Sequence, residues 1–312
     1  MLKRTLIGIA TLICAILAFI IRLIPMPYIS GTGDMLGAPD SWYNLRLVED
    51  MLQHGNMLDY DVMTGYPYGS IVNWGFMYTS LSAFLAILTS AVTRVQIIDA
   101  VSWLSPIMAS LMVIIMYFIG KAFGDWKTGL LTALFTAIIG GQYFLRSVYG
   151  LFDHHIAEVL FSCLFCLCYI LALRYSQNAS FKSLKTLKIP ILLGLLTGLA
   201  YLMGLFTMTT LVVYGLFVMV YTLFQFIFND AKNKSSDYLV IINGVTFLVA
   251  IIGLLIYGVK LYNLEVAMNN TKNYVSTMEY QTEYKEKYGK PFSEVIVQFL
   301  MKQIVSAVKF IH

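Results

Sequence analysis

Charge is what this chain has least of. Asp, Glu, Lys and Arg together make up 12% of its 312 residues, against about 25% in an ordinary soluble domain. Apolar residues reach 59% and the mean hydropathy is +0.74. A chain of this make-up cannot keep its surface in water, which excludes a soluble globular protein and leaves a multi-span membrane protein. The formal net charge of +4 is too small and too dispersed to build a basic face, so nucleic acid is set aside as a partner. Cysteine is scarce as well, at Cys14, Cys163, Cys166 and Cys168. All of them fall in apolar runs, and the Cys-x-x-Cys-x-Cys spacing has no His or acid beside it. A zinc site and a disulfide framework give way to small core residues. Ionisable residues are missing from the middle of the apolar runs too. Arg22 and Glu158 stand near run ends, within reach of the interface, so no charge relay crosses the bilayer.

What is present is a series of apolar runs broken by polar loops. Thr5 to Ile24 follows Lys3 and Arg4 and supplies the ~20 apolar residues that a hydrocarbon core requires, with the N-terminus inside. It is too long for the core of a signal peptide, and no Ala-x-Ala follows it. Pro25 to Tyr78 is a polar segment rich in Gly, Pro, Asp and Tyr, longer than an ordinary connection and therefore functional. Leu81 to Val92 is short and reads as a re-entrant or interfacial helix. Pro106 to Gly120, Leu130 to Ile139, Ala157 to Leu173, Ile189 to Phe206, Met208 to Phe228 and Tyr238 to Tyr257 then alternate across the membrane. With that alternation the loops holding Lys121 to Lys127, Arg174 to Lys188, and Lys232 with Lys234 all fall on the cytoplasmic side, as the positive-inside rule requires.

The expected fold is an all-α polytopic transmembrane helical bundle with long external loops. Residues 1–259 form a multi-span domain with external loops over 25–100 and 143–155. Residues 260–312 form a further external loop and the start of another helix. The expected location is the plasma membrane, multi-pass, with the functional face non-cytoplasmic.

Three polar clusters then share the external side: Asp40, the segment Arg146 to His155, and Ser276-Thr277-Met278-Glu279. Pro39-Asp40 opens a helix, with Asp40 as an N-cap or first-turn carboxylate. Asp153-His154-His155 carries the sharpest chemistry, because Asp153 and His155 offer an oxygen and a nitrogen to one divalent cation. With Asp40 added, two hard oxygens and one nitrogen would hold Mn²⁺ or Mg²⁺ and leave positions open for a substrate phosphate. The simpler reading is that Asp153 caps the following helix while both histidines bond at headgroup level. Arg146 likewise fits either an anchor for phosphate or carboxylate, or an interfacial Arg that snorkels.

Pro39-Asp40-Ser41-Trp42-Tyr43-Asn44-Leu45-Arg46, Tyr66-Pro67-Tyr68-Gly69, Arg146-Ser147-Val148 with Gly150-Leu151-Phe152-Asp153-His154-His155, and Ser276-Thr277-Met278-Glu279 together resemble the motifs of the catalytic subunit of oligosaccharyltransferase. The likeness is to the archaeal or related bacterial form, a GT-C glycosyltransferase, and to its N-terminal membrane part. It implies transfer of a glycan from a polyprenyl or dolichyl (pyro)phosphate lipid to the Asn of Asn-x-Ser/Thr in an acceptor protein, with inversion at the anomeric carbon and with Mn²⁺ or Mg²⁺. By the same resemblance Asp40 and Glu279 hold the acceptor amide. Asp40, Asp153 and His155 bind the metal, and Arg146 and His154 meet the substrate phosphate. The family's Trp-Trp-Asp-Tyr-Gly motif has no counterpart at Trp42, Trp74, Trp103 or Trp126. The expectation is therefore that the sequon-reading domain is absent, and that this chain binds lipid-linked glycan but transfers it poorly. A protein O-mannosyltransferase-like enzyme of the same architecture, or a lipid or solute transporter, is the alternative.

Overall fold

The computed structural model describes residues 2–32, 39–55, 60–61, 70–72, 75–92 and 96–275. They belong to two units, residues 1–58 with 73–255 and residues 59–72 with 256–312. The first unit contains α1 (Leu2–Arg22), α2 (Met26–Thr32), α3 (Pro39–His54), α4 (Phe76–Val92), α5 (Ile97–Ser102), α6 (Leu104–Phe123), α7 (Trp126–Ile138), α8 (Gln142–Leu145), α9 (His155–Tyr175), α10 (Leu184–Leu205), α11 (Val213–Ala231) and the larger part of α12 (Asp237–Val275). In the second unit the last turns of α12 and a short antiparallel ladder are described. The ladder pairs β1 (Tyr60–Asp61) with β2 (Ser70–Ile71), setting Tyr60 opposite Ile71. The protein is an all-α membrane bundle: among the described residues, six helical segments are long and apolar enough to cross a bilayer.

Two expectations shift in detail. The short run read as Leu81 to Val92 is the 17-residue α4, about 25 Å long, because Phe76, Met77 and Tyr78 join the helix rather than the polar segment before it. The crossing read as Leu130 to Ile139 is the 13-residue α7, about 20 Å long and not among the six. It starts immediately after α6. Asp125 Oδ1 accepts from the backbone N–H groups of Lys127 (2.9 Å) and Thr128 (3.0 Å), a side-chain cap that begins the new helix without a longer loop. Residues 139–153 complete the return, and Tyr143 Oη donates to the carbonyl of Ala109 at 3.3 Å.

Helices pack closely where side chains are small, as membrane bundles require. Gly194 and Gly198 of α10 lie against Val245, Thr246 and Val249 of α12, and Thr246 Oγ1 donates to the Gly194 carbonyl at 3.2 Å. A Cβ on Gly75 would overlap the carbonyl of Phe206, whose oxygen accepts from the N–H of Met77 at 3.0 Å. The start of α4 is thereby seated on the end of α10.

Four links gather one end of the bundle. They are Met77 with Phe206, Tyr149 N–H with the Arg22 carbonyl (2.9 Å), Ser105 Oγ with the Leu151 carbonyl (2.7 Å), and Thr210 with Glu158 (3.0 Å). The opposite end holds the α6–α7 turn, the contact of Phe181 N–H with Asp237 Oδ2 (3.0 Å) and the bond from Asn229 Nδ2 to Ser236 Oγ (3.1 Å). Arg174, Lys182, Lys232 and Lys234 all fall in segments at this second end.

Candidate functional site

The Arg146 to Glu158 segment lies at the first end and is held on every side. Gly150 has φ +82°, a left-handed conformation that favours glycine. It turns the chain so that Phe152 enters the core beside Tyr78 (ring centroids 5.0 Å), Ile156 and Leu104. Leu45 and Val48 of α3 join the same cluster, and Asn44 Nδ2 reaches the carbonyl of Phe152 at 3.4 Å. Phe152 is fully buried. Its burial leaves Asp153 only one place to stand.

Beneath the segment lies a residue whose part the sequence does not announce. Arg22, the last residue of α1, is 0% exposed. Its Nε donates to Ser147 Oγ (2.7 Å), its Nη1 donates to the carbonyls of Ala18 (3.0 Å) and Ala137 (3.1 Å), and its guanidinium lies 5.0 Å from the ring centre of Tyr143. Carbonyls, a hydroxyl and an aromatic face thus solvate a buried cation and tie α1 and α7 to the segment. The expected interfacial Arg is instead an internal clamp.

Asp153 is 0% exposed. Arg146 Nη1 donates to its Oδ2, His154 Nδ1 lies 3.1 Å from its Oδ1, and His155 Nε2 lies 3.9 Å from its Oδ2. Burial pushes this carboxyl up. The close approach of His154 and the charges of His155, His154 and Arg146 outweigh burial and hold it below the ordinary carboxylate value. The helix-cap reading of Asp153 is not what forms: the residue preceding α9 is His154, and no side chain caps that helix. Arg146 likewise meets the carboxylate rather than only snorkelling.

Each ligand atom of Asp153, His154 and His155 lies within 4.8 Å of the others. On an octahedral ion with bonds of ~2.1 Å, neighbouring donors stand about 3.0 Å apart and opposite ones about 4.2 Å. The 3.9 Å between Asp153 Oδ2 and His155 Nε2 lies between the two spacings, so one cation can take both atoms only if they draw in to neighbouring positions or out to opposite ones. The second nitrogen of His155 is committed elsewhere. Nδ1 is 2.8 Å from Glu158 Oε2, and Glu158 Oε1 accepts from Thr210 Oγ1 at 3.0 Å. A carboxylate accepting Nδ1–H leaves the Nε2 lone pair for a cation, the usual outer partner of a metal-binding His. Sequence reading missed Glu158 in this role, although the signal was present: His155 and Glu158 are i and i+3 on a helix and must be neighbours.

Asp40 lies in the first turn of α3, exposed, one turn before Asn44. Asp40 and Asn44 are four residues apart and so share one side of α3, but Asp40 stands outside the mutual 4.8 Å group. His154, expected at the phosphate, has a side chain only 4% exposed, whereas His155 is 43% and Arg146 38% exposed. Glu279 and the Tyr66-Pro67-Tyr68-Gly69 turn lie outside the described residues.

A family model described as oligosaccharyl transferase STT3, N-terminal, matches residues 10–301. A dolichyl-phosphooligosaccharide-protein glycotransferase of Archaeoglobus fulgidus is 30% identical over 124 residues, 39% of this chain and 14% of that protein. Two crystal or complex structures from the same organism share the fold. An archaeal oligosaccharyltransferase with an inhibitory peptide and a dolichol-phosphate has a TM-score of 0.73 at 19% identity, covering 99% of this chain and 37% of that one. An oligosaccharyltransferase complex with Zn and sulfate has a TM-score of 0.69 at 20% identity, covering 97% and 40%. The chain spans well under half the length of each of these relatives.

Proposed function

Since this chain belongs to the oligosaccharyl transferase STT3 family by its N-terminal part, we propose that it supplies the membrane part and donor side of a protein N-glycosyltransferase. The reaction is transfer of a glycan from a polyprenyl or dolichyl (pyro)phosphate lipid to the side-chain nitrogen of Asn in Asn-x-Ser/Thr, with inversion at the sugar. The observation that carries this reading is the pair Asp153 Oδ2 and His155 Nε2, 3.9 Å apart beside Arg146. It sits at the end of the bundle where α3 brings Asp40.

Asp153 and His155, with Asp40, would hold Mn²⁺ or Mg²⁺. When bound, the cation supplies a Lewis acid that stabilises the departing phosphate. A carboxylate oxygen has lone pairs for two partners, so Asp153 Oδ2 accepts from Arg146 and faces the cation position together. Arg146, more than a third exposed, has donors left for the lipid phosphate. His154 is buried and acts through Asp153, fixing its Oδ1. Glu158 holds the proton of His155 on Nδ1, and Thr210 holds Glu158. The acceptor amide is a weak nucleophile because its lone pair is delocalised, and Asp40 and Glu279 are the acceptors assigned to its N–H groups. Two supports for the ligands are the zinc and sulfate of one structural neighbour and the dolichol-phosphate and peptide of the other. We place the site on the non-cytoplasmic face of the plasma membrane, because the basic loops all lie at the other end.

The test uses the full chain in detergent with Mn²⁺, a fluorescent lipid-linked glycan, and peptides carrying Asn-Val-Thr or Gln-Val-Thr. The expected result is glycan-lipid binding that chelation abolishes, with any transfer confined to the Asn peptide. Glycan attached to the Thr hydroxyl of either peptide would move the reaction to hydroxyl acceptors. Binding indifferent to chelation would remove the metal.

A further inference from the structure

The far end of α9 carries a second and chemically opposite site. An apolar groove of about 600 Å³ runs between the last turn of α6, the second half of α9 and the first half of α11, walled by Phe123, Phe165, Tyr169, Phe217 and Tyr221. Along α9 it extends from Phe165 to Arg174, about 14 Å at 1.5 Å per residue. That is close to half of a ~30 Å hydrocarbon core, the depth of one leaflet. The groove ends at Arg174 and Gln177, both exposed. Gln177 is also a wall of an adjoining polar pocket of about 320 Å³, lined by Asn178, Gln225 and Lys234 among others. Neither lining contains an acidic residue.

An apolar slot one leaflet deep, continuous through a shared residue with a polar chamber flanked by two cations, matches an amphiphile with an anionic head. We propose that this groove binds one phosphate-headed anionic lipid of the bilayer leaflet opposite the Asp153 site. An acyl chain would lie against the aromatic walls and the phosphate between Arg174 and Lys234. The donor glycan-lipid is not the occupant assigned here, because α9 is 21 residues long and its two ends are therefore about 30 Å apart.

The reporter is Phe217→Trp, which places an indole in the groove, with Tyr221→Trp as a second choice if the first variant is not recovered folded. The full chain in mixed micelles is titrated with brominated-acyl phosphatidylglycerol or phosphatidylcholine, and quenching is read as the difference from the chain with its native tryptophans alone. The expected preference for the anionic lipid is about fivefold per cation, so on the order of 25-fold for Arg174 and Lys234 together. Arg174→Gln and Lys234→Gln should each remove about fivefold, and the double variant should bring the ratio near one. Leu195→Trp, on the exposed face of α10, should show no preference. Equal quenching by the two lipids at Phe217→Trp would overturn the headgroup assignment. A reporter shielded from both would mean that protein covers the groove, which also overturns it.

Discussion

The two ends of α9 hold polar groups in opposite ways. At His155 the charges are turned inward: Asp153 and His154 are buried, Arg146 and Glu158 partly so, and every partner distance is set by a residue with its own neighbours. At Arg174 the cations are turned outward, around an apolar slot whose described lining holds no acidic residue. The first arrangement requires that each group be paired, since an unpaired buried charge is costly. The second tolerates solvent and gains from long-range attraction to anionic surfaces. On the proposed reading, one helix carries a rigid ligand cage at its start and an adaptable lipid contact at its finish. Substitutions should read out differently at the two ends.

The largest effect is expected of Asp153→Ala. It should weaken Mn²⁺ binding, measured by loss of the free-ion electron paramagnetic resonance signal, by at least about 100-fold, because a ligand contributes more than its outer partners. Lipid preference at the far end should be unchanged. A shift there would break the independence of the two sites.

Arg22→Ala comes next. It removes charge-assisted bonds to Ser147, Ala18 and Ala137 and leaves a cavity, at about 2–4 kcal/mol of stability. Thermal unfolding in detergent measures it, and a variant as stable as the parent would show that the clamp is dispensable.

Glu158→Ala sharpens the comparison, since it tests whether the cage is built in two layers. Mn²⁺ affinity should fall about 10- to 100-fold, and Thr210→Val should produce a smaller loss in the same direction. In a His155→Asp background there is no imidazole to orient, so the Glu158→Ala loss should vanish or reverse. An undiminished loss in that background would assign Glu158 a packing role only.

The smallest effect is that of Gly150→Ala, which forces a side chain into φ +82°. Its expected cost is about 1–2 kcal/mol, seen as a lowered unfolding temperature with the far-end lipid preference intact.

Much of this contrast is legible in the sequence. The apolar runs give the bundle, and Asp153, His155 and Arg146 stand within ten residues of one another, where local spacing alone brings them together. Glu158 was within reach of the same reasoning. Thr210 was not, because 52 residues separate it from Glu158 and only the packing of α9 with α10 closes that distance. The burial of Arg22 was hidden for the same reason: a basic residue at the end of an apolar run has the same local pattern whether it snorkels or turns inward. Gly75 gave no signal either, since its close approach to Phe206 depends on a helix end 131 positions away.

Arg22 also changes what the first helix is for. A leading apolar helix behind two basic residues has the make-up of an address that any membrane-insertion machinery would read, and such addresses are commonly exchangeable. This one ends in a group that the Ser147 and Ala137 turns need, so its information is structural as well as directional. The helix precedes its partners in the chain, so its guanidinium finds the last of them only after Ser147 has emerged, and Glu158 finds Thr210 later still. The site can therefore close only once Thr210 has been made. Grafting a generic leader in place of residues 1–24 should deliver the protein to the membrane with that closure undone.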